Sequence, residues 1–297
     1  MSFAKAAEEL HVTPAALSFQ IKSLEDHLGH PLFIRLNRAV RLTEVGAALA
    51  PGATDAFQTL TSAWRNVRRM QDETTLNVTA GPAFTAKWLA PRLYDFARAH
   101  PEIDLRFSAT LRIMDFNVDN IDVAIRFGYD DRDESGLWAL HLAEEWATPV
   151  MTPEMAEKFS TPESLLDAPL LFDDSIAFLR PAMDWQMWFR AIGIDHNPTH
   201  GPRFSNSDHA VDAALAGVGV ALGRRSIAIK DLHEGKLVAP FKVAIQSKAR
   251  YRFLCRDGMQ DKPQIAAFWD WMLAEIQKTA SVHDGLEILP VEDIAPL

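Results

Sequence analysis

The chain has 297 residues, of which 48% are hydrophobic, and its formal net charge at pH 7 is −10. This length predicts more than one domain, and the acidic balance argues against a protein that coats nucleic acid non-specifically. Cys255 is the single cysteine, which excludes an internal disulfide framework. The sequence shows neither a basic, apolar leader nor the run of about eighteen apolar residues that a membrane span needs, so we expect a cytoplasmic protein.

Residues 2–28 predict two short helices joined by a tight turn. Apolar residues from Phe3 to Leu10 recur at spacings of three and four, which places them on one helical face. Thr13 is a suitable N-cap for the second helix, Pro14 suits its first position, and Gly29 suits a left-handed stop. The second helix has its own apolar stripe, which we expect to face the core. That stripe consists of Leu17, Ile21, Leu24 and Leu28.

The outer face of the second helix combines small and polar side chains with a cation. A helix that enters the major groove needs this composition, because small residues allow close approach and Gln or Ser can bond to base edges. From this pattern alone, an ordinary two-helix corner is an equally open alternative. The candidate DNA contacts on this helix are Thr13, Pro14, Ala15, Ser18, Phe19, Gln20 and Lys22.

Residues 30–43 predict two short strands around Asn37, with arginines at or near the turn between them. A basic hairpin beside two helices is typical of a wing that contacts the sugar-phosphate backbone. Arg35 and Arg38 are the candidate phosphate contacts. Up to residue 43 the chain carries five basic and four acidic residues, so any DNA contact is confined to this end of the chain.

At this point the chain resembles the LysR-type transcriptional regulators. The resemblance runs without a gap over about forty residues, and it is carried by Ala6 to Leu10, Ser18, Gln20, Ile21, Leu24, Glu25, Leu28, Gly29, Pro31 to Phe33 and Leu42 to Gly46. Members of the family often carry Arg or His where this chain has Phe19, so we expect one DNA contact to be missing there. They also carry a helix before the two described above. The resemblance therefore implies an upstream start or a truncated domain, with weakened DNA binding.

A long helix is predicted from Glu44 to about Gln71, with Thr43 as its cap. Apolar residues repeat along it at alternating spacings of four and three, a heptad seam typical of two paired helices. A helix packed on its own globular domain is the alternative. The resemblance implies dimerisation through this linker. The seam consists of Ala53, Phe57, Leu60, Trp64 and Val67, of which the last four are the candidate dimer contacts.

From Leu76 onwards the sequence predicts an α/β domain. A strand at 76–80, a helix through 87–96 and a strand at 101–107 form a parallel βαβ unit. Further strands are predicted at 123–126, 147–151, 170–172, 219–222, 244–246 and 251–255, and helices at 185–192, 208–216 and 263–276. The pattern fits two α/β lobes with two crossings of the chain between them. Residues 281–297 show no regular pattern.

For this part of the chain the resemblance implies a two-lobed effector domain with a type 2 periplasmic-binding-protein-like fold. The stretches 170–175, 184–185, 201–208 and 216–221 resemble the branch of the family that includes the glycine-cleavage activator and the β-lactamase-gene regulator. We therefore expect a winged helix-turn-helix domain at 1–43, a linker helix at 44–73, an effector-binding domain at 74–280 and a tail at 281–297. Lobe I comprises about 74–143 and 244–280, and lobe II comprises about 144–243.

Ligands of open α/β sheets bind at the carboxyl ends of strands, where helix starts offer free N–H groups. Three such places are Thr79 to Thr85, Thr110, and Ser205 to Ser207. Plain helix capping is the alternative for each of them. Asn206 stands where some relatives have an acidic residue, so the ligand is expected to differ in charge from theirs. Together with the residues that the resemblance implies, the candidate effector contacts are Ala83, Phe84, Thr85, Thr110, Arg126, Asp174, Ser175, Asn206 and Ser207.

The sequence leaves three function classes to compare: a solute-binding protein of transport, a hydrolase and a DNA-binding regulator. A solute-binding protein of transport lacks support because there is no leader, and a hydrolase lacks support because no Gly-x-Ser-x-Gly elbow surrounds Ser175 or Ser207. Metal-ligand spacing is missing from the ten histidines, so we expect no metal and no cofactor.

The favoured hypothesis is a dimeric or tetrameric regulator that binds double-stranded promoter DNA. Its effector is expected to be an amino acid or small carboxylate that bridges residues 83–85 and 205–206, closes the lobes and reorients the linker helices. RNA polymerase is a further partner if the regulator is an activator.

Overall fold

The computed structural model describes residues 2–36, 39–70, 74–116, 119–129, 135–278 and 285–294. The chain divides into two compact units, residues 1–69 and residues 70–297. Among the described residues, no helix is both long enough and apolar enough to cross a membrane.

The first unit begins with the two predicted helices, α1 (Phe3–Glu9) and α2 (Pro14–Leu28). The Oγ1 of Thr13 accepts a hydrogen bond from the backbone N–H of Ala16 at 3.2 Å, and Pro14 occupies the first turn of α2. Gly29 ends α2 with a φ of 76°, a left-handed conformation that glycine adopts without steric cost. Both ends of α2 are therefore confirmed, and local signals determine them.

A two-stranded antiparallel wing follows, formed by β1 (Phe33–Leu36) and β2 (Ala39–Leu42). The Oε1 of Glu25 in α2 accepts hydrogen bonds from the backbone N–H groups of Leu32 and Phe33, at 2.7 and 3.1 Å. The rings of Phe3 and Phe33 meet edge to face with centroids 5.3 Å apart. The wing is thus fixed to both helices, while the turn residues Asn37 and Arg38 lie outside the described residues.

The apolar stripe of α2 is less buried than the sequence predicted. Leu17 and Ile21 are half-buried, but Leu24 and Leu28 keep 46% and 42% of their surface exposed. Ala7 and Leu32 are the only buried hydrophobic side chains among those described in this unit. The prediction that the whole stripe faces the core is therefore wrong, because a seven-residue helix and a short wing offer too little surface to cover it.

The third helix, α3 (Glu44–Met70), begins where the sequence predicted, since Thr43 Oγ1 accepts a hydrogen bond from Gly46 N at 3.0 Å. Four apolar side chains of the predicted seam are exposed in the single chain. Their exposed fractions are 71% for Phe57, 64% for Leu60, 65% for Trp64 and 57% for Val67. This row of exposed apolar side chains is unusual for a surface facing water and is typical of an interaction site.

The second unit is built on one nine-stranded sheet. Its strands lie in the order β4, β3, β5, β10, β6, β9, β7, β8, with β11 paired to β10 off this path. They are β3 (Thr75–Ala80), β4 (Asp104–Ala109), β5 (Val123–Gly128), β6 (Leu137–Val150), β7 (Leu170–Asp173), β8 (Arg203–Phe204), β9 (Val220–Arg224), β10 (Val243–Arg256) and β11 (Glu287–Pro290).

Two of these strands, β6 and β10, are fourteen residues long and run antiparallel through both lobes. The sequence predicted three separate strands at 147–151, 244–246 and 251–255, and this prediction is wrong because the segments belong to two long strands. The 147–151 segment is mainly the second half of β6, and the other two belong to β10, which shifts register between Gln246 and Arg250. The break in pattern at that shift caused the error, because a bulge interrupts alternation without ending a strand.

The helices flank this sheet. They are α4 (Pro82–Phe84), α5 (Leu93–Ala99), α6 (Pro153–Lys158), α7 (Trp185–Ala191), α8 (Ser207–Leu215), α9 (Arg225–His233) and α10 (Pro263–Lys278). The continuous helix predicted through 87–96 is wrong. The chain instead forms α4, a π-helical turn at Thr85–Leu89, a break and then α5. Pro91 explains the break, since proline removes a backbone donor and disfavours helix in the residue before it.

One apolar core spans the two lobes. Phe84 and Trp88 of lobe I belong to the same buried cluster as Val211, Ala221 and Ile227 of lobe II. The segment 82–89 packs on α8 and α9. A second cluster fills lobe II around Trp188 and Phe189. The two lobes are therefore joined by apolar packing between the segment 82–89 and the helices α8 and α9.

The tail also differs from its prediction. Residues 287–290 form β11, which pairs in parallel with residues 243–246 of β10, and Val291 is 1% exposed within the lobe II core. Ile245 and Ala249 of β10 belong to the same lobe II core, so the second crossing between the lobes lies within β10 and not at residue 244 as expected. The chain thus returns to lobe II after α10. Sequence pattern missed this strand because four residues are too few for alternation to be read.

Gly46 provides a test of packing in the first unit. A Cβ at this position would lie 2.2 Å from the carbonyl oxygen of Leu32, whereas a Cβ at Gly52 of the same helix would meet nothing within 4 Å. We expect Gly46→Ala to destabilise the unit by about 1–3 kcal/mol through overpacking. Gly52→Ala should stabilise it by up to about 1 kcal/mol, because alanine favours helix. Calorimetric unfolding measures both, and equal effects of the two substitutions would contradict the packing described here.

Candidate functional site

Residues predicted to contact DNA lie on or beside α2. Phe19 is 70% exposed, and Ala15, Gln20 and Lys22 are also exposed, while Ser18 is half-buried. Thr13 and Pro14 form the start of this helix, with the Thr13 side chain occupied by its capping bond. The first turns of α2 therefore present small and polar groups with one cation, as a major-groove helix requires.

Of the two wing arginines predicted to contact phosphates, only Arg35 lies within the described residues. It is exposed, and its guanidinium carbon lies 5.3 Å from the centre of the Phe3 ring. Stacking on this ring restricts the side chain without neutralising its charge. Arg38 falls outside the described residues.

A group of polar side chains meets where the ends of lobe II strands approach β10. We call Asp173, Ser175, Ser207, Arg224 and Tyr251 the interlobe cluster. The Nη2 of Arg224 donates to Ser207 Oγ at 2.8 Å, and its Nη1 lies 3.5 Å from Tyr251 Oη. Ser207 and Ser175 both donate to the Asp173 carboxylate, and their own hydroxyl oxygens are 2.8 Å apart. Residues from three strands and a helix start therefore converge here.

Arg224 is 5% exposed yet keeps its positive charge. Burial by itself would lower the pKa of this guanidinium, but the neighbouring carboxylates of Glu145 and Asp173 oppose burial, and the pKa is raised. Glu145 is fully buried; its Oε2 lies 3.8 Å from Arg224 Nη1, and its Oε1 accepts from Ser226 N at 2.8 Å. Burial raises the pKa of the Tyr251 hydroxyl, so this group stays protonated and can donate a hydrogen bond.

Aromatic rings complete the surroundings of the cluster. The guanidinium carbon of Arg224 lies 4.8 Å from the centre of the Phe127 ring, which also lies 5.2 Å from the Tyr251 ring. Nearby, the hydroxyl of Tyr129 accepts from Arg180 N at 2.8 Å and donates to Arg180 O at 3.1 Å. These two hydrogen bonds join lobe I to lobe II, in addition to the contact between Arg224 and Tyr251.

Three predicted effector residues lie in or beside this cluster. Ser175 and Ser207, thirty-two residues apart in sequence, are in direct contact. Asn206 is half-buried at the N-cap position of α8, and its side chain makes no capping bond. The alternative of plain capping therefore does not account for Asn206.

The segment predicted at 83–85 is placed differently. Phe84 is 3% exposed, stacked 5.1 Å from Trp88 and 4.3 Å from Tyr251, so it is a core side chain that does not line an open cleft. Ala83 packs against the same core, and Thr85 Oγ1 donates to the carbonyl of Gly81 at 2.9 Å. Phe84 is therefore part of the core, whereas Ala83 and Thr85 are half-buried and Gly81 provides no side-chain cap, so effector binding at this helix start stays a prediction.

Thr110 and Arg126 lie at the ends of lobe I strands. Thr110 Oγ1 accepts from Arg112 N at 3.1 Å. Arg126 Nη2 donates to Thr79 Oγ1 at 3.1 Å, and its Nη1 donates to Ile125 O at 2.9 Å. Burial lowers the pKa of Arg126 to about 10, which still leaves it charged at neutral pH.

Asp174 lies beside a cavity within lobe II. Its Oδ1 pairs with Arg203 Nη1 at 2.9 Å, and the Arg203 guanidinium carbon lies 4.5 Å from the centre of the Phe172 ring. The cavity has a volume of about 280 Å³, and its lining includes Asp173, Asp174, Arg180, Trp185, Arg203 and Leu222. Asp173 borders both this cavity and the interlobe cluster.

Sequence reasoning missed Arg224, Tyr251 and Glu145. Arg224 is the last residue of the otherwise apolar strand β9. A charged residue at the end of an apolar strand was the signal in the sequence that could have indicated a polar site there. Tyr251 and Glu145 lie inside strands whose pattern shows no polar site. Their grouping arises from pairing between β6, β9 and β10, which the sequence does not reveal.

Comparisons with known proteins agree with this architecture. The description "Bacterial regulatory helix-turn-helix protein, lysR family" matches residues 1–47, and "LysR substrate binding domain" matches residues 69–277. The chain is 40% identical over 279 residues to the glycine cleavage system transcriptional activator of Escherichia coli, covering 93% of this chain and 89% of that protein.

Two solved structures resemble the second unit. The effector domain of the regulator AmpR of Pseudomonas aeruginosa has a TM-score of 0.57 and 32% identity, covering 71% of this chain and 98% of that one. An effector binding domain from Citrobacter freundii has a TM-score of 0.56 and 26% identity, covering 68% and 98%. In the latter, a threonine, a serine and a tyrosine are replaced by valine, alanine and phenylalanine.

A winged helix-turn-helix followed by a long helix and a two-lobed α/β domain defines a ligand-responsive DNA-binding regulator. The chain belongs to the LysR family of bacterial transcriptional regulators. It is therefore a transcriptional regulator with a DNA-binding and an effector-binding domain, and not an enzyme. The resemblance to the branch with the glycine-cleavage activator is confirmed, and family membership agrees with the cytoplasmic location predicted from the sequence.

Proposed function

We propose that the effector of this regulator is an amino acid or another small carboxylate, bound at the interlobe cluster. The observation that carries the proposal is the buried, charged guanidinium of Arg224 among the hydroxyl groups of Ser207 and Tyr251. A carboxylate binds well to such a set, because charge-assisted hydrogen bonds are the strong ones. Arg126 supplies a second cation at the strand ends of lobe I.

Two further observations support this location. Among the described residues, the buried Nε of Arg224 has no hydrogen-bond acceptor, and buried donors are normally satisfied. The Citrobacter freundii domain carries substitutions that remove one hydroxyl each from a threonine, a serine and a tyrosine. Hydroxyl groups of the same kinds, on Ser207, Tyr251 and Thr110, are candidates here.

Binding at this cluster can change the protein only if the ligand prefers one arrangement of the lobes. Because the lobes already share a core, we propose a small shift of α8 and α9 against lobe I in place of the lobe closure expected from the sequence. The linker helix would pass this shift to the DNA-binding units of a dimer. The Escherichia coli relative is named a transcriptional activator, which supports RNA polymerase as a further partner.

The effector site can be tested by calorimetry on the full chain with a panel of amino acids and small carboxylates. Ser207→Ala, Tyr251→Phe and Asn206→Leu should each lower the affinity of a ligand so found by roughly tenfold or more, since each removes a polar contact to a charged group. Ser108→Ala, at an exposed serine of β4, is the matched control and should leave the affinity unchanged. A ligand whose affinity ignores all three substitutions binds elsewhere, and the assignment is then wrong.

For DNA, we propose that Ser18 and Gln20 contact bases, with Pro14 and Ala15 close to the groove, and that Lys22, Arg35 and Arg38 contact phosphates. The exposed face of α2 supports the first group. The stacked, exposed guanidinium of Arg35 supports the second. Phe19, whose side chain is 70% exposed on this face, is available for apolar contact with a thymine methyl group.

Gel shifts with DNA selected by the protein from a random pool separate these roles. Gln20→Ala should relax the sequence preference and cost about 1–3 kcal/mol on the selected site. Arg35→Ala should weaken binding to all sequences alike and flatten its salt dependence. A sequence-selective loss in Arg35→Ala, or unchanged specificity in Gln20→Ala, would assign the roles differently.

We propose that α3 pairs with a second copy of the chain, giving a dimer or a tetramer. The support is the exposed row of Phe57, Leu60, Trp64 and Val67, whose heptad spacing suits a two-helix seam.

Analytical ultracentrifugation tests this pairing with two aspartate substitutions on one helix. Leu60→Asp should yield a smaller species, because an unpaired charge buried in an apolar seam is costly. Thr59→Asp adds the same charge at an exposed position outside the seam and should leave the assembly intact. If the two variants sediment alike, the seam is not the interface.

A further inference from the structure

Lys87 is a lobe I side chain whose two ionic partners both lie in lobe II. Its Nζ is 2.6 Å from Asp212 Oδ1 and 3.3 Å from Asp231 Oδ2. The side chains of Lys87 and Asp231 are only 14% and 8% exposed, whereas Asp212 is 57% exposed. The contact with Asp231 is therefore shielded from solvent, unlike the surface ion pairs that contribute little.

The two partners lie on the helices that carry the interlobe cluster. Asp212 is five residues after Ser207, the first residue of α8. Asp231 lies in α9, which begins directly after Arg224. One lysine thus ties both helices, and with them Ser207 and Arg224, to the chain segment that follows β3.

The backbone around Lys87 is unusual. Residues 85–89 form a π-helical turn, in which the N–H of Ala90 donates to the carbonyl of Thr85 at 2.8 Å. Such turns are rare and are frequently found at functional sites. The extra residue in the turn changes the direction of the side chains that follow it, relative to a regular helix.

The electrostatics favour a permanent tie. Burial opposes the charge on Lys87, but hydrogen bonding and attraction to Asp212 and Asp231 outweigh burial and raise its pKa. Without the lysine, the carboxylate of Asp231 would be left nearly buried and without its cation. Breaking a buried pair from one side is strongly unfavourable, so the helices would relax away from this position.

We propose that Lys87 is a positioning residue for the effector switch, holding α8 and α9 against lobe I through carboxylates in the second halves of these helices. It sets the distance of Ser207 and Arg224 from the groups of lobe I without contacting the ligand. The link to ligand response rests on the proposed function above, whereas the positioning itself does not. Without this contact, Ser207 and Arg224 are no longer held at the spacing that a ligand between the lobes requires.

Hydrogen exchange of the full chain without ligand tests the positioning. In Lys87→Met, amides of 207–215 and 225–233 should exchange faster by roughly tenfold, because local opening becomes easier. Lys87→Arg should restore much of the protection. Lys278→Met is the matched control: its lysine pairs with the nearly buried Glu275, but both residues lie in lobe I.

The outcomes are distinct. Faster exchange confined to α8 and α9, together with rescue by arginine, supports the proposal. Equal effects of Lys87→Met and Lys278→Met, or a uniform increase that includes β3 and β5, would mean general destabilisation and overturn it. Should Lys87→Met fail to fold, Asp212→Asn replaces it as the test variant, because Asp212 is exposed. Asp212→Asn should speed exchange in α8 alone. Unchanged exchange in α8 would overturn the proposal.

Ligand response separates this inference from the proposed effector. With any carboxylate found by calorimetry, Lys87→Met should lower the affinity several-fold, while Lys278→Met should not. If no carboxylate binds, the proposed effector fails but the exchange result stands. If the ligand binds equally to both variants although exchange changes in α8 and α9, Lys87 has no part in the switch.

Discussion

The effector-binding domain depends on the antiparallel pairing of β6 and β10. Each strand is fourteen residues long and serves both lobes, so the two halves of the sheet cannot separate without breaking this ladder. Long paired strands resist separation because their backbone hydrogen bonds and cross-strand side-chain contacts accumulate along the ladder. Both lobes are thereby built on one continuous sheet.

Several charged side chains between the lobes are shielded from water. Arg224, Lys87 and Arg126 are cations removed from water, and each is compensated differently. Arg224 has Glu145 and Asp173 nearby, Lys87 has two carboxylates, and Arg126 has a hydroxyl and a carbonyl oxygen. Because an uncompensated buried charge is costly, these residues fix the local geometry, and Arg126 keeps the capacity to attract an anion.

The DNA-binding unit is held together by local polar contacts more than by an apolar core. It has few buried side chains, and its parts are held by the Glu25 carboxylate, the Thr13 and Thr43 caps and the close approach of Gly46 to Leu32. A long helix with an exposed apolar seam follows directly. Association through this seam, as proposed above, would add to the stability of the unit.

Local sequence signals determined the helix-turn-helix, since Thr13, Pro14 and Gly29 act within a few residues of themselves. They also indicated most strands and helices of the second unit and the family to which the chain belongs. Tertiary structure alone decided that Phe84 is core, that 287–290 is a strand and that Arg224 meets Ser207 and Tyr251. The partners of Lys87 lie 125 and 144 residues away along the chain. Contacts over such distances depend on how strands pair and helices dock, and no local pattern encodes that pairing.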